Sequence, residues 1–349
     1  MKKVFVGLSG GVDSSVSAAL LKEQGFDVTG VFMKNWSKSI GRFECPWKED
    51  YQDAKRTAVH LGIPFEMYDF EEQYFDTVVE YMLDAFKKGV TPNPDVMCNQ
   101  EIKFKLFLDT ALSNGADYIA TGHYANTHDG RLIRAKDDNK DQTYFLYRVT
   151  PKALSRTLFP LGDYTKPEVR TLAQEYKLPT ATKKESMGIC FVGKVGIKDF
   201  LKEYIGKTES GPVVDQNGVT IGEHDGAIFY TIGQRSGMGI GGGLPYYVTS
   251  KNMITNTVYV TNDISDANLW NQTINLGAVH WINKPVLASG ELLIRTRHRA
   301  PLLPVKAINE TVDGLIVELN EPIRALTPGQ SAVFYSETEC FGGGIISHI

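Results

Sequence analysis

The sequence has no apolar run approaching the about 18 residues that a membrane-crossing helix needs. Its start, Met-Lys-Lys followed by a short apolar run ending in Gly-Leu-Ser-Gly, is too brief for a secretory leader. These two absences lead to the expectation of a cytoplasmic protein with no membrane partner. Cys-x-x-Cys pairs are also missing: Cys45, Cys98, Cys190 and Cys340 are widely dispersed. That spacing gives no zinc or iron–sulfur ligand set and no disulfide framework. The phosphate-loop pattern GxxxxGK[ST] does not occur, which excludes that class of nucleotide hydrolase. There is no excess of positive charge, with 37 Lys and Arg against 41 Asp and Glu for a net of −4. Any nucleic-acid contact must therefore come from local patches rather than an overall basic field. Internal repeats and low-complexity segments are absent too.

What is present is an ordinary globular composition over 349 residues, 42% hydrophobic and 22% charged, enough for two or three domains. The first 120 residues alternate strands with helices. Strands are expected at Lys3–Leu8, Asp27–Met33, Pro64–Asp69 and Asp117–Thr121. Helices are expected at Asp13–Gln24, Tyr51–Leu61, Glu71–Lys88 and Gln100–Ser113. This order predicts an α/β fold with a doubly wound parallel sheet. Ligands of such sheets bind outside the carboxyl ends of the strands, which here are the loop after Leu8, Met33–Trp36 and Gly122–Tyr124. From about residue 205 the texture becomes β-rich, with short runs at Val213–Val214, Ala227–Thr231, Tyr246–Thr249 and Thr257–Thr261. After Trp270 turn signals recur between runs at Ile274–Val279, Glu291–Arg297, Val305–Asn309, Gly314–Leu319 and Ser331–Tyr335, as a small barrel requires. The expected domains are 1–204, a central β-rich 205–270, and a C-terminal all-β barrel at 271–349.

The most informative stretch is Gly7-Leu8-Ser9-Gly10-Gly11-Val12-Asp13-Ser14, a small-residue loop between the first strand and the first helix. That geometry aims backbone N–H groups and a helix dipole at one point, which suits a phosphate. The alternative is a glycine-rich turn that binds nothing. Ser-Gly-Gly-Val-Asp-Ser resembles the pyrophosphate-binding loop of N-type ATP pyrophosphatases, enzymes that activate substrates by adenylation. A second glycine pattern, Gly237 to Gly242, satisfies GxGxxG but is followed by Pro245 and a β-type run with no helix to receive a pyrophosphate. It is expected to be a mobile loop that orders on RNA.

Two thiols stand out. In Thr91-Pro92-Asn93-Pro94-Asp95-Val96-Met97-Cys98 the prolines disfavour helix before Asp95, so Cys98 is expected near a helix N-terminus, where the dipole favours thiolate. The alternative is that Cys98 packs as a small hydrophobe while Asp95 caps the helix. Cys190, in Ser-Met-Gly-Ile-Cys-Phe, taken alone reads as core. Nothing in the residues themselves selects Cys98 and Cys190 as a pair. Arg295, Arg297 and Arg299 alternate, so on a strand they would share one face as a phosphate-binding stripe or as a solvated polar face. His123, alone, reads as a structural loop histidine.

The whole chain resembles the bacterial tRNA-specific 2-thiouridylases. The matching segments are GLSGGVDSS at 7–15, NPDVMCNQEIKF at 93–104, ATGHYA at 120–125, KDQTYFLY at 140–147, GICFVG at 188–193, YTIGQRSGMGIGG at 230–242 and TPGQSAVFY at 327–335. The resemblance implies an N-type ATP-pyrophosphatase domain of the adenine nucleotide alpha hydrolase type. ATP would lie along Gly7–Ser14 with Met33 and Gly122 near the adenosine, and Mg²⁺ would accompany the phosphates with Asp13 as candidate ligand. It implies Cys190 as persulfide carrier, Cys98 as nucleophile, a transient Cys98–Cys190 disulfide and Asp95 as general acid/base. tRNA contacts are implied at Asn93, Pro94, Asp95, His123, Lys140, Asp141, Gln142, Arg297, His298 and Gln330. The partners implied are the tRNA anticodon loop with its wobble uridine and a persulfide donor protein, either a cysteine desulfurase or a sulfur relay protein. Competing readings are another adenylating enzyme on this scaffold (a 4-thiouridine-type sulfurtransferase or an amidotransferase-coupled synthetase) or an inert nucleotide-gated tRNA-binding protein.

Overall fold

The computed structural model describes residues 1–40, 45–184, 196–237, 245–285 and 291–347. Cys190 and most of the Gly237–Gly242 stretch therefore lie outside the described residues. The chain begins with β1 (Lys3–Gly7), α1 (Val12–Glu23), β2 (Asp27–Lys34), α2 (Trp47–Leu61) and β3 (Phe65–Asp69). Two long helical runs over 71–87 and 94–113 lead to β4 (Tyr118–Ala120). A hairpin of β5 (Asn126–His128) and β6 (Arg131–Ile133) follows, then the short β7 (Thr157–Leu158).

Strands β3-β2-β1-β4-β7 form one parallel sheet in that order. Both faces are covered, because Val4 and Val6 pack into one apolar cluster and Phe5 into another. This explains why β1 reads as a continuous apolar run rather than an alternating one. The chain winds outward from β1 through β2 to β3, then returns to β1's other side as β4. That reversal leaves a crevice between the carboxyl ends of β1 and β4, the place where such sheets bind ligands.

Both long helices are composite. The expected helix at Glu71–Lys88 contains wide turns over Phe75–Val79, and that at Gln100–Ser113 begins earlier, at Pro94, with wide turns over Cys98–Leu106. The two wide segments pack against each other. Such wide turns are frequent where helices carry functional positions.

The central segment supplies β8 (Gly211–Val214), β9 (Thr220–His224), β10 (Tyr247–Asn252) and β11 (Thr257–Thr261), a sheet of order β10-β11-β8-β9 over a core of Val213, Val248, Val258 and Val260. The run expected as a strand at Ala227–Thr231 is instead a short 3₁₀ turn at Ala227–Phe229, entered through Gly226 at φ 136°. The last segment is a closed six-stranded barrel of β12 (Trp270–Trp281), β13 (Leu293–Arg295), β14 (Leu303–Thr311), β15 (Gly314–Arg324), β16 (Ser331–Tyr335) and β17 (Glu339–Ile346), with β12 pairing β17 to complete the ring. β17 also pairs with β6, so the β5–β6 hairpin of the first segment extends the barrel's sheet. Among the described residues no helix is long and apolar enough to cross a membrane.

Candidate functional site

The loop after β1 folds as its small residues dictate. Gly10 adopts φ 75°, and a Cβ there would fall on the Asp50 carbonyl, so only glycine fits. Gly11 is the extended N-cap residue of α1, with no side chain capping the helix. The Ser14 hydroxyl accepts from Ser9 N–H at 3.2 Å, and the hydroxyls of Ser14 and Ser15 donate back to Gly11 O at 3.2 and 2.8 Å. These contacts hold the loop open around the N–H groups of the first turn of α1, a ready-made phosphate cradle. Gly122, just after β4, faces the same turn, and a Cβ there would lie 2.7 Å from Ser14 N. Met33, near the end of β2, covers Gly7, where a Cβ would meet its terminal methyl at 2.9 Å.

The cradle opens into a cleft of about 440 Å³. Its lining includes Ser9, Gly11 and Asp13 from the loop and the start of α1, Asp95, Asn99 and Lys103 from the second long helical run, His123 from the stretch after β4, and Lys140, Gln142, Phe145, His298 and Arg299. Asp13 is already engaged: Lys166 Nζ lies 2.7 and 2.8 Å from its two carboxylate oxygens, and the Tyr124 hydroxyl donates to it at 3.0 Å. Among the described residues no cluster of three or more His, Cys, Asp or Glu forms a metal site. Asp13, at the end of the loop itself, is a carboxylate that could join a cation carried by a nucleotide's own phosphates.

Asp95 stands at the mouth of the composite helix. The helix is capped by Asn93, whose Oδ1 accepts from Val96 N at 3.4 Å, so Asp95 is not the cap. Burial pushes its carboxyl above the usual carboxylate range, against the pull of the Lys103 ammonium. Asp95, Asn99 and Lys103 follow at helical spacing and share the cleft-facing side. Lys103 Nζ approaches His123 Nε2 at 3.4 Å, and Thr121 Oγ1 lies 2.8 Å from Nδ1. An ammonium can only donate, so Nε2 accepts and Nδ1 carries the proton toward Thr121. Burial and the Lys103 charge lower the His123 pKa well below its ordinary value, so the ring is neutral at pH 7.

Cys98 does not line this cleft. It is 4% exposed and packs in the main apolar core, where the first helical turn passes into the wide turns. It lies beyond the first helical turn, where the dipole effect has largely faded. Burial raises the thiol pKa of half-buried Cys45 and that of fully buried Cys340, which disfavours the thiolate in both.

The expected arginine stripe does not form, because the strand ends at Arg295. Arg295 turns inward to Asp141 at 3.7 Å and over the Tyr335 ring. Arg297 donates to Ala325 O and Thr327 Oγ1, Arg299 donates to Asn139 O, and only Arg299 reaches the cleft. The Asp141 carboxylate is wholly buried against Arg134 and Thr143, so its side chain holds the loop rather than facing outward. Gln330 Nε2 donates to the carbonyls of Thr91 and Pro92 at 2.9 and 3.1 Å, fixing the loop that precedes Asn93. Pro94 is buried. Gln142 accepts from Tyr124 N at 2.9 Å, and the His298 ring lies 4.6 Å from that of Phe145.

Residue-level reading of the sequence missed Asn99, Lys103, Phe145, Lys166 and Lys183. Asn99 and Lys103 were recoverable from their i+4 and i+8 spacing to Asp95. Lys183, bound to Asp50 and Asp53 at 2.8 and 2.6 Å, carried no local signal.

Family comparison matches three models along the chain: a tRNA methyl transferase HUP domain over residues 2–194, a tRNA methyl transferase PRC-barrel domain over 198–262, and an aminomethyltransferase beta-barrel domain over 271–346. The chain is 46% identical to a tRNA-specific 2-thiouridylase of Bacillus pumilus, over 99% of this chain and 95% of that protein. It is 47% identical to those of Staphylococcus saprophyticus and Levilactobacillus brevis, at the same coverage. Among solved structures, a 4-thiouridine synthetase–RNA complex with bound ATP shares 17% identity over 58% of this chain and 50% of that one, with a TM-score of 0.38.

Proposed function

The chain belongs to the tRNA-specific 2-thiouridylases, and from that premise we propose that its cleft activates the wobble uridine of tRNA as an adenylate before sulfur replaces the C2 oxygen. The enzyme is a tRNA-uridine 2-sulfurtransferase that uses ATP. One observation supports the proposed chemistry most directly: the phosphate cradle of Ser9–Ser14 and the group Asp95, Asn99 and His123 share a single cleft.

Uridine O2 attacks the α-phosphate, and pyrophosphate leaves into the N–H groups at the start of α1. Mg²⁺, when bound, would neutralise phosphate charge, with Asp13 and the phosphates as its ligands. Lys103 places a positive charge where the activated oxygen gathers negative charge. Asp95, its pKa raised by burial, exchanges the proton that the uracil ring loses and regains. Neutral His123 and the Lys140–Gln142 loop position the nucleotide.

Sulfur arrives as a persulfide on Cys190, supplied by a cysteine desulfurase or a sulfur relay protein. The Cys98 thiolate attacks the inner sulfur of that persulfide. Hydrosulfide leaves, adds to C2 and displaces AMP, and the two cysteines remain as a disulfide. The sulfane sulfur is reduced to the sulfide level while the thiols are oxidised, and an external thiol restores them. Cys98 faces the core, and the wide turns that begin at it are where the helix can re-register to present the thiol. Asn93, His298 and Arg299 border the entrance for the anticodon loop, while Pro94, Arg297, Gln330 and Asp141 act by holding the loops around it. The reaction is assigned to the cytoplasm.

The test is mass spectrometry of the wobble nucleoside after incubation of tRNA with the enzyme, ATP, Mg²⁺ and a persulfide source. 2-Thiouridine should form with AMP and pyrophosphate in equal amounts. AMP formation indifferent to tRNA would instead indicate a different adenylated substrate.

A further inference from the structure

We propose that Asn99 reads the N3–H edge of the uracil that enters the cleft, and so makes the site select for that edge. The inference rests on the reading above, in which a tRNA uridine is the acceptor.

Asn99 is 2% exposed and lines the cleft between Asp95 and Lys103. Its Nδ2 donates to the Phe145 carbonyl oxygen at 3.0 Å. A carbonyl can only accept, so this bond settles which branch of the amide is nitrogen. The other branch, Oδ1, is buried and has no hydrogen-bond partner among the described residues. A buried acceptor left unmatched in the folded protein is costly and marks a place where a ligand's donor belongs. The adjoining wall is aromatic, with the Phe145 and His298 rings 4.6 Å apart and inclined at 43°. His298 also has a buried nitrogen, Nδ1, without a hydrogen-bond partner among the described residues. A base lying along that wall would meet one fixed acceptor and one neutral imidazole.

Uracil carries a single donor on its pairing edge, N3–H, between the acceptors O2 and O4. Recognition of the incoming base through N3–H leaves O2 free to attack phosphate, which recognition through O2 would not; the N3 proton passes to Asp95, four residues from Asn99 on the same cleft wall, only as the O2–phosphorus bond forms. Cytosine presents an unprotonated N3 there and would set two lone pairs against each other. Methylation at N3 would remove the donor and drive a methyl group into the amide.

The experiment uses the full chain with ATP and a persulfide source, on anticodon-arm RNAs carrying either uridine or 3-methyluridine at the wobble position. Wild-type enzyme should thiolate the first and strongly reject the second. Asn99→Ala should lower kcat/KM on uridine roughly 10–100-fold, as loss of one buried hydrogen bond would. The same variant opens space for the methyl group, so its ratio of 3-methyluridine to uridine activity should rise at least about tenfold. A relative gain on the methylated RNA cannot come from misfolding. An unchanged ratio in Asn99→Ala, and in Asn99→Ser as a second small variant, overturns the assignment. Wild-type enzyme that leaves uridine unthiolated would overturn the underlying functional reading instead.

Discussion

Lys166 holds both carboxylate oxygens of Asp13, 2.7 and 2.8 Å away. The carboxylate in the phosphate loop is thus neutralised by a side chain from a helix start 153 residues later. A divalent cation approaching Asp13 has to compete with that ammonium. Lys166→Met should therefore lower the Mg²⁺ concentration giving half-maximal AMP formation, and Asp13→Asn should raise it. Identical Mg²⁺ titrations for both variants and the wild type would remove Asp13 from the cation's surroundings.

The two thiols should be separable from nucleotide binding. Cys98→Ala and Cys190→Ala are each expected to abolish 2-thiouridine formation while ATP binding, measured by calorimetry, stays unchanged. Full thiolation by either variant would defeat the dithiol scheme.

Asp95→Asn keeps the shape of the helix mouth and removes the group proposed to exchange the proton. Thiolation should fall by about 10²–10⁴-fold, the usual worth of a general acid or base. Because the N-cap is Asn93, the thermal midpoint should hardly move. A large loss of stability with unchanged kcat would reassign Asp95 to a structural role.

Gln330→Leu removes two side-chain hydrogen bonds to Thr91 and Pro92. At about 0.5–1.5 kcal/mol net for each, the variant should lose roughly 1–3 kcal/mol in urea unfolding. KM for tRNA should rise with it, since the freed loop carries Asn93 and Asp95. A normal KM would show that the loop holds its place without the barrel.

Two histidines give the fold an acid-sensitive limb. Burial and nearby cations lower the His298 pKa to about 4 and that of His123 well below its ordinary value. Both bind protons more readily in the unfolded chain, so their stabilising effect is complete above about pH 6.5 and is lost as pH falls below it. Urea midpoints should drop between pH 7 and pH 5, and His298→Phe should drop less. Parallel curves for the variant and the wild type would remove His298 from this effect.

The first half of the site was legible because its signals are local. Glycines at a sharp turn, a run buried on both faces and a helix start all lie within Lys3–Glu23. The arginine alternation misled, because Arg295 is drawn inward by Asp141, a partner that only the fold brings near. The β5–β6 hairpin was missed although Asp129-Gly130 is a strong turn signal, since its strands have three residues each and gain their stability from β17. Cys98 was expected near the dipole of a helix start. The helix does begin nearby, but its apolar neighbours carry the thiol into the core.

The pairing of β6 with β17 gives the order of synthesis a consequence. The nucleotide-binding sheet leaves the ribosome complete while the strand that covers β6, and Gln330 that fastens the Thr91–Pro92 loop, are still to be made. For that interval the nascent chain has a finished phosphate cradle, an unfastened Thr91–Pro92 loop and a bare strand edge open to aggregation. Translation through Gln330 and β17 closes the last two together. A chain cut short before β17 should be insoluble before it is inactive.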